Sequence, residues 1–158
     1  MTEPIIRPAR LEDAKALHHT CYPEHPFEDV RDYLAWCLQR AERGQILRLV
    51  AEVEGQVVGN VQLTVWGRDG EVGSLVVSEA FRQQGLARRL VTAVISEAKE
   101  RRLVSLEISG YDDETATLAF YERLGFSRVR TGPDPQATKN GLSHPASSRS
   151  VVLLRMLL

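Results

Sequence analysis

Cysteine is scarce in this chain of 158 residues: Cys21 and Cys37 are the only two, with no C-x-x-C pair. A single bridge would not make a disulfide framework, so both are expected to be reduced, structural thiols of a cytoplasmic protein. An excess of one charge is also missing. Lys+Arg total 20 against 21 Asp+Glu, a formal net charge of -1, which argues against a general nucleic-acid binder. No apolar run approaches the roughly 18 residues of a membrane span, so no membrane contact is expected. Residues 1–7 lack the apolar stretch of a secretion signal. The histidines His18, His19, His25 and His144 show no metal-ligand spacing, and no metal is expected. There is no G-x-x-x-x-G-K-[ST] loop and no G-x-G-x-x-G turn, which removes the two commonest nucleotide-binding fingerprints. What remains is ordinary globular material, 43% hydrophobic and 26% charged. Its length suits one domain over residues 1–158.

Short apolar stretches alternate with amphipathic ones, the rhythm of an α/β or α+β fold. Residues 5–7 predict a short strand stopped by Pro8. Residues 11–19 and 27–42 predict helices, the second with Val30, Leu34, Cys37, Leu38 and Ala41 on one face. Residues 46–53 and 56–66 flank Glu54-Gly55, a tight hairpin signal. In the second of these strands Val57, Gly59, Val61, Leu63 and Val65 alternate with Asn60, Gln62 and Thr64, which predicts a half-buried antiparallel strand. A turn at 67–70 leads to a strand at 71–77. Leu86, Leu90, Val94 and Ala98 then mark a helix over 85–101. A strand at 104–108, a helix at 117–124 closed by Gly125, and strands at 126–130 and 151–157 complete the pattern. Residues 131–150, rich in proline and serine, predict a long loop, either a flap over a site or a disordered insertion.

The chemistry concentrates where the fourth strand meets the long helix. The first turn of a helix carries unpaired N–H groups and partial positive charge, so it can hold a phosphate through backbone donors. Gly85 leaves room for that approach, Ala87 intrudes by one methyl, and Arg82, Arg88 and Arg89 add positive charge. On these residues alone a plain tight turn explains the pattern equally well. The order Arg82-x-x-Gly85-x-Ala87 resembles the R/Q-x-x-G-x-G/A signature of the GNAT family of N-acetyltransferases. Downstream, Phe120-Tyr121-Glu122-Arg123-Leu124-Gly125-Phe126 is similar to that family's Y-E-x-L-G-F ending. The resemblance covers residues 46–130.

The resemblance implies a mixed, mainly antiparallel sheet of six to seven strands flanked by about four helices. It also implies transfer of an acetyl group from acetyl-CoA, as co-substrate, to an amine. Gln83, Gln84, Gly85, Leu86, Ala87 and Arg88, with Arg82 beside them, would hold the pyrophosphate. Leu75, Val76 and Val77 would pair with the pantetheine arm, between fourth and fifth strands that splay apart. The backbone of Val77 or a neighbour would help stabilise the oxyanion. Tyr121 stands at the general-acid position, where a phenol can donate to a departing thiolate; as a bare residue it also fits a core stripe with Leu118 and Leu124. Glu71 stands at the offset of a catalytic base, or is an exposed strand-end carboxylate. Glu114 replaces an asparagine that often touches the cofactor arm. It would keep that contact, lose it, or act as base.

The acceptor would be a small-molecule amine or a peptide amino group, near residues 21–27 and 131–150. Glu24, Glu28 and Asp29 would attract it and Tyr22 would stack on it, or these residues form only a solvated charged loop. By analogy, the apolar run Val151-Val152-Leu153-Leu154 would support a homodimer. Two rivals stand beside the enzyme: a catalytically weak acyl-CoA-binding sensor, and a regulator that uses the same turn for another phosphate.

Overall fold

The computed structural model describes residues 3–134 and 149–158. Seven strands form one sheet: β1 (Ile5–Pro8), β2 (Ile46–Val53), β3 (Gln56–Trp66), β4 (Asp69–Val77), β5 (Ser105–Tyr111), β6 (Ser127–Pro133) and β7 (Ser150–Leu157). Their spatial order is β1-β2-β3-β4-β5-β7-β6. Every neighbouring pair is antiparallel except β4 and β5, which run parallel. The helices are α1 (Ala14–Thr20), α2 (Phe27–Ala41), α3 (Leu86–Glu100) and α4 (Thr115–Arg123). The mixed, mainly antiparallel sheet with four helices is the expected α/β architecture.

Local signals account for most element ends. Glu54 and Gly55 both have positive φ, 49° and 82°, as a tight primed hairpin turn requires. Gly125, at φ 110°, closes α4, and the Phe126 N–H returns to the Tyr121 carbonyl at 3.2 Å. The α3 stripe of Leu86, Leu90, Val94 and Ala98 is at most 2% exposed, so its period faces the sheet.

Two apolar clusters cover the two sheet faces. α3 and α4 pack over a large cluster that includes Val61, Leu63, Val72, Leu106 and Leu154. α1 and α2 cover a smaller one built on Val50 and Val57.

Several expectations change. β3 is buried on both faces from Val57 to Leu63, because helices lie on both sides of it; it is not half-buried. The single apolar face expected for it is also broken. Ala51 and Glu52 of β2 oppose Gly59 and Val57, leaving Val58 as an extra residue. Val57 therefore joins the α1/α2 side while Val58 and Val61 join the α3 side. The 11–19 helix opens as a 3-10 turn (Leu11–Asp13) before α1. β4 begins at Asp69, within the expected turn, and β5 runs on to Tyr111. Of the expected 131–150 loop, Thr131, Gly132, Pro133 and Ser150 belong to strands. Its centre, with His144, lies outside the described residues.

Candidate active site

The pairing of β4 with β5 is brief. It covers Asp69, Gly70 and Glu71 against Ser105, Leu106 and Glu107, and then stops. Beyond Glu71 the two strands separate, leaving the β5-facing backbone edge of β4 free. A cleft of about 420 Å³ fills the gap. Residues 71–76 of β4 line one side, 108–111 of β5 the other, and α4 closes it with Glu114, Thr117 and Tyr121. An extended ligand arm can pair with such an edge as an added strand does.

A β-bulge kinks the strand inside this cleft. Asn60 opposes Val76 while Gln62 opposes Gly73, so Ser74 and Leu75 together face only Val61. Ser74 takes φ 52°, the left-handed region that a non-glycine residue enters at a cost. Asn60 is fully buried and holds the bulge by donating to the Ser74 carbonyl at 3.4 Å and to the Tyr22 hydroxyl at 3.2 Å. A bulge re-aims backbone groups where a regular strand cannot. No sequence pattern marked it.

Tyr121 enters the cleft from α4. It is 7% exposed, and its hydroxyl has no hydrogen-bond partner among the described residues. Burial, with the charge of Glu114 second, pushes the phenol above its usual range. It is therefore neutral, and a proton donor, at ordinary pH. The β5 residue beneath it is Gly110, where a Cβ would stand 3.0 Å from the Leu118 side chain and 3.5 Å from the Tyr121 ring. That glycine lets α4 bring Tyr121 down onto the sheet.

Glu71 lines the same cleft, exposed and without an ion pair among the described residues. It opposes Thr64 on β3, and Glu107 stands beside it on β5. Glu107 is bound by Arg155 at 2.7 Å, which leaves Glu71 as the free carboxylate of that pair. Glu114 also lines the cleft, but its carboxylate meets Arg149 at 3.3 Å, beside the 2.7 Å Arg149–Asp113 pair.

At the far end of β4 the chain turns into α3. Gln83 and Gly85 both have positive φ, 63° and 81°, and Gly85 caps the helix without a side-chain bond. The N–H groups of Leu86, Ala87 and Arg88 therefore have no helical acceptor, since the first helical bond runs from Arg89 to Gly85. A hollow here is bordered by Gln83, Gly85, Ala87, Arg88 and Phe120. Phe120 went unmarked as a lining residue by sequence. Arg82 partly turns away, since its Nε donates to the Val77 carbonyl at 3.0 Å and so braces the turn. Arg89 points at Glu3, 3.7 Å off.

The structure thus brings Glu71, Leu75, Val76, Glu114 and Tyr121 into one cleft, with Gln83, Gly85, Ala87 and Arg88 at its outer end. Val77 lines the hollow by α3 and not the cleft. Of the acidic residues expected near the acceptor, Asp29 borders a second pocket while Glu24 and Glu28 do not. Among the described residues no His/Cys/Asp/Glu cluster suits a metal, and no helix is long and apolar enough to cross a membrane. Both cysteines are free, and burial holds each thiol above its usual pKa.

Known proteins share this fold. The profile described as Acetyltransferase (GNAT) family matches residues 11–126. A ribosomal-protein-alanine N-acetyltransferase from Brucella melitensis superposes with a TM-score of 0.78 at 23% identity, covering 98% of this chain and 99% of its own. An N-acetyltransferase from Staphylococcus aureus gives 0.77 at 18%, covering 99% of each chain. A GNAT family acetyltransferase from Elizabethkingia anophelis, solved with acetyl-CoA bound, gives 0.74 at 19% and covers both chains fully, 100% of each. At these identities the superpositions speak for the fold.

Proposed function

The chain belongs to the acetyltransferase (GNAT) family, and from that premise we propose that it moves an acetyl group from acetyl-CoA to a primary amine. The amine attacks directly in a ternary complex, and residues 1–158 act as one catalytic domain of the cytoplasm. The observation that carries the reading is the open β4 edge, with a bulge at its middle and, among the described residues, an unpartnered tyrosine hydroxyl above it and unbonded helix N–H groups at its end.

Each part has a task. The free edge of Leu75 and Val76 pairs with the pantetheine arm. The N–H groups at the start of α3, with Arg88 beside them, hold the pyrophosphate. The bulged backbone at Ser74 and Leu75 supports negative charge on the acetyl oxygen. Glu71 takes a proton from the acceptor ammonium, which at neutral pH otherwise has no free lone pair. The amine nitrogen then bonds to the acetyl carbon and the C–S bond breaks; Tyr121 donates its proton to the departing sulfur, and the second proton shed by the amide nitrogen passes through solvent to restore the phenol. Glu114 is held by Arg149 and shapes the cleft wall. The unpartnered hydroxyl favours an enzyme over a sensor, because a Phe would fill the same core space.

Calorimetric titration with acetyl-CoA tests the donor site, with ATP and NAD as comparators. Selective micromolar binding, followed by thiol release on adding amines, is the expected result. Binding without any turnover would make the protein a sensor. No binding by folded protein would overturn the reading.

A further inference from the structure

A second pocket, about 210 Å³, lies on the α1/α2 face of the sheet. Its wall includes Tyr22, Val30, Tyr33, Arg48 and Ser74. Ser74, the bulge residue, also borders the cofactor cleft, so the two cavities meet at the reacting end of the site. The pocket falls below the roughly 300 Å³ at the small end of drug-sized sites, which fits a compact acceptor.

Arg48 is the unusual member of this wall. It sits in the middle of β2 and is 6% exposed. A buried guanidinium normally has a carboxylate, because desolvation costs several kcal/mol. Among the described residues Arg48 has none. Its Nη1 donates to Gln62 Oε1 at 3.0 Å, and that oxygen also receives the Tyr33 hydroxyl at 3.3 Å and the Cys37 thiol at 3.5 Å. Its Nε is sealed from solvent without any partner. Its Nη2 donates to none of the described residues. Tyr33 lies over the plane, ring centre 5.4 Å from the guanidinium carbon. Asp29 borders the pocket without pairing to Arg48.

Register fixes where this cation points. Arg48 opposes Gln62, Gln62 opposes Gly73, and two residues along the same face Thr64 opposes Glu71. Arg48 and Glu71 therefore share the face on which the pocket lies. Nη1 reaches the Gln62 side chain on β3, the strand next to β4. An amine beside the bulge and a carboxylate on Arg48 fit within one small molecule.

We propose that Arg48 binds the acceptor's carboxylate, so that the acceptor is a small amino-acid-like molecule bearing both an amine and a free carboxylate. This rests on the acetyltransferase reading and narrows its substrate. The test compares glycine, L-alanine, L-valine and L-phenylalanine with their carboxamides, by thiol release and by ligand-observed NMR on acetyl-CoA-loaded protein. At least one acid binds and is acetylated with a kcat/KM at least tenfold above its amide. Arg48→Gln raises the KM for that acid at least tenfold, brings its kcat/KM down towards that of the amide, and keeps acetyl-CoA affinity. Arg48→Lys, which keeps the charge, restores part of the preference. Equal use of acids and amides, or binding of neither, overturns the proposal and leaves the transferase standing, since acetyl-CoA binding is read separately. If acetyl-CoA does not bind, both fall. The comparison of acids with amides in the unmodified protein decides the matter even if Arg48→Gln fails to fold.

Discussion

At the scale of single residues, the proposed mechanism divides the proton traffic between Tyr121 and Glu71, and each assignment predicts a different kinetic mark. Tyr121→Phe keeps the ring against Leu118 and Gly110, so fold and acetyl-CoA affinity should hold while kcat falls by about 10²-fold. An unchanged kcat removes the acid assignment. Glu71→Gln removes a carboxylate with no structural bond among the described residues. It should lower kcat/KM at neutral pH and recover towards higher pH, where the amine is already neutral; a pH-independent loss would speak for positioning instead. Sequence pointed to both residues, because their offsets from the R-x-x-G-x-A turn resemble a known spacing. It passed over Ser74, Asn60 and Arg48, whose roles arise from partners 14 residues or more away.

Elements decide the phosphate end. The turn into α3 needs a left-handed residue at Gly85, and a Cβ there would meet nothing within 4 Å. Two effects are therefore separable. Gly85→Ala pays only the backbone strain, about 1 kcal/mol, and should lower Tm by a few degrees with modest loss of affinity. Gly85→Glu adds the same strain plus a negative charge beside the α3 N–H groups, and should weaken acetyl-CoA binding at least tenfold beyond Gly85→Ala. Equal affinity of the two variants by calorimetry would place the pyrophosphate elsewhere. The α3 stripe and the hairpin turns were legible because they follow from local periodicity and backbone sterics. The bulges in β3 and β4 were not, since a bulge is defined by what the neighbouring strand does opposite it.

Across the molecule, buried titratable groups set the pH range of stability. Burial alone would raise the Asp13 carboxyl, but the Arg7 guanidinium (2.9 Å to each oxygen) and the Arg10 N–H (2.7 Å) outweigh it and hold it below the usual range. A depressed carboxyl stabilises the fold above its unfolded pKa of about 3.9, and that stability is lost as pH falls through the folded value. Tyr22, Tyr121 and both thiols are shifted the other way, each by burial first. Their contribution is full at neutral pH and drains away as pH rises past roughly 9 to 10. Urea denaturation against pH should give a plateau between these limbs. Asp13→Asn should cost about 3 kcal/mol on the plateau and flatten the acid limb; an unchanged acid limb would assign it to other carboxylates.

The amino-acid sequence by itself determined most strands, helices and turns and the family, and it singled out the turn at 82–88, Tyr121 and Glu71 as site candidates. All of these rest on near neighbours in the chain: alternation, helical period, glycine geometry and short motifs. Tertiary structure alone decided that β3 is covered on both faces and that β4 parts from β5 just after Glu71. It also decided that Ser74 joins two cavities and that Arg48 is buried with no counter-charge among the described residues. These properties belong to what lies across the sheet, and a single chain read in order carries no record of which strand stands opposite.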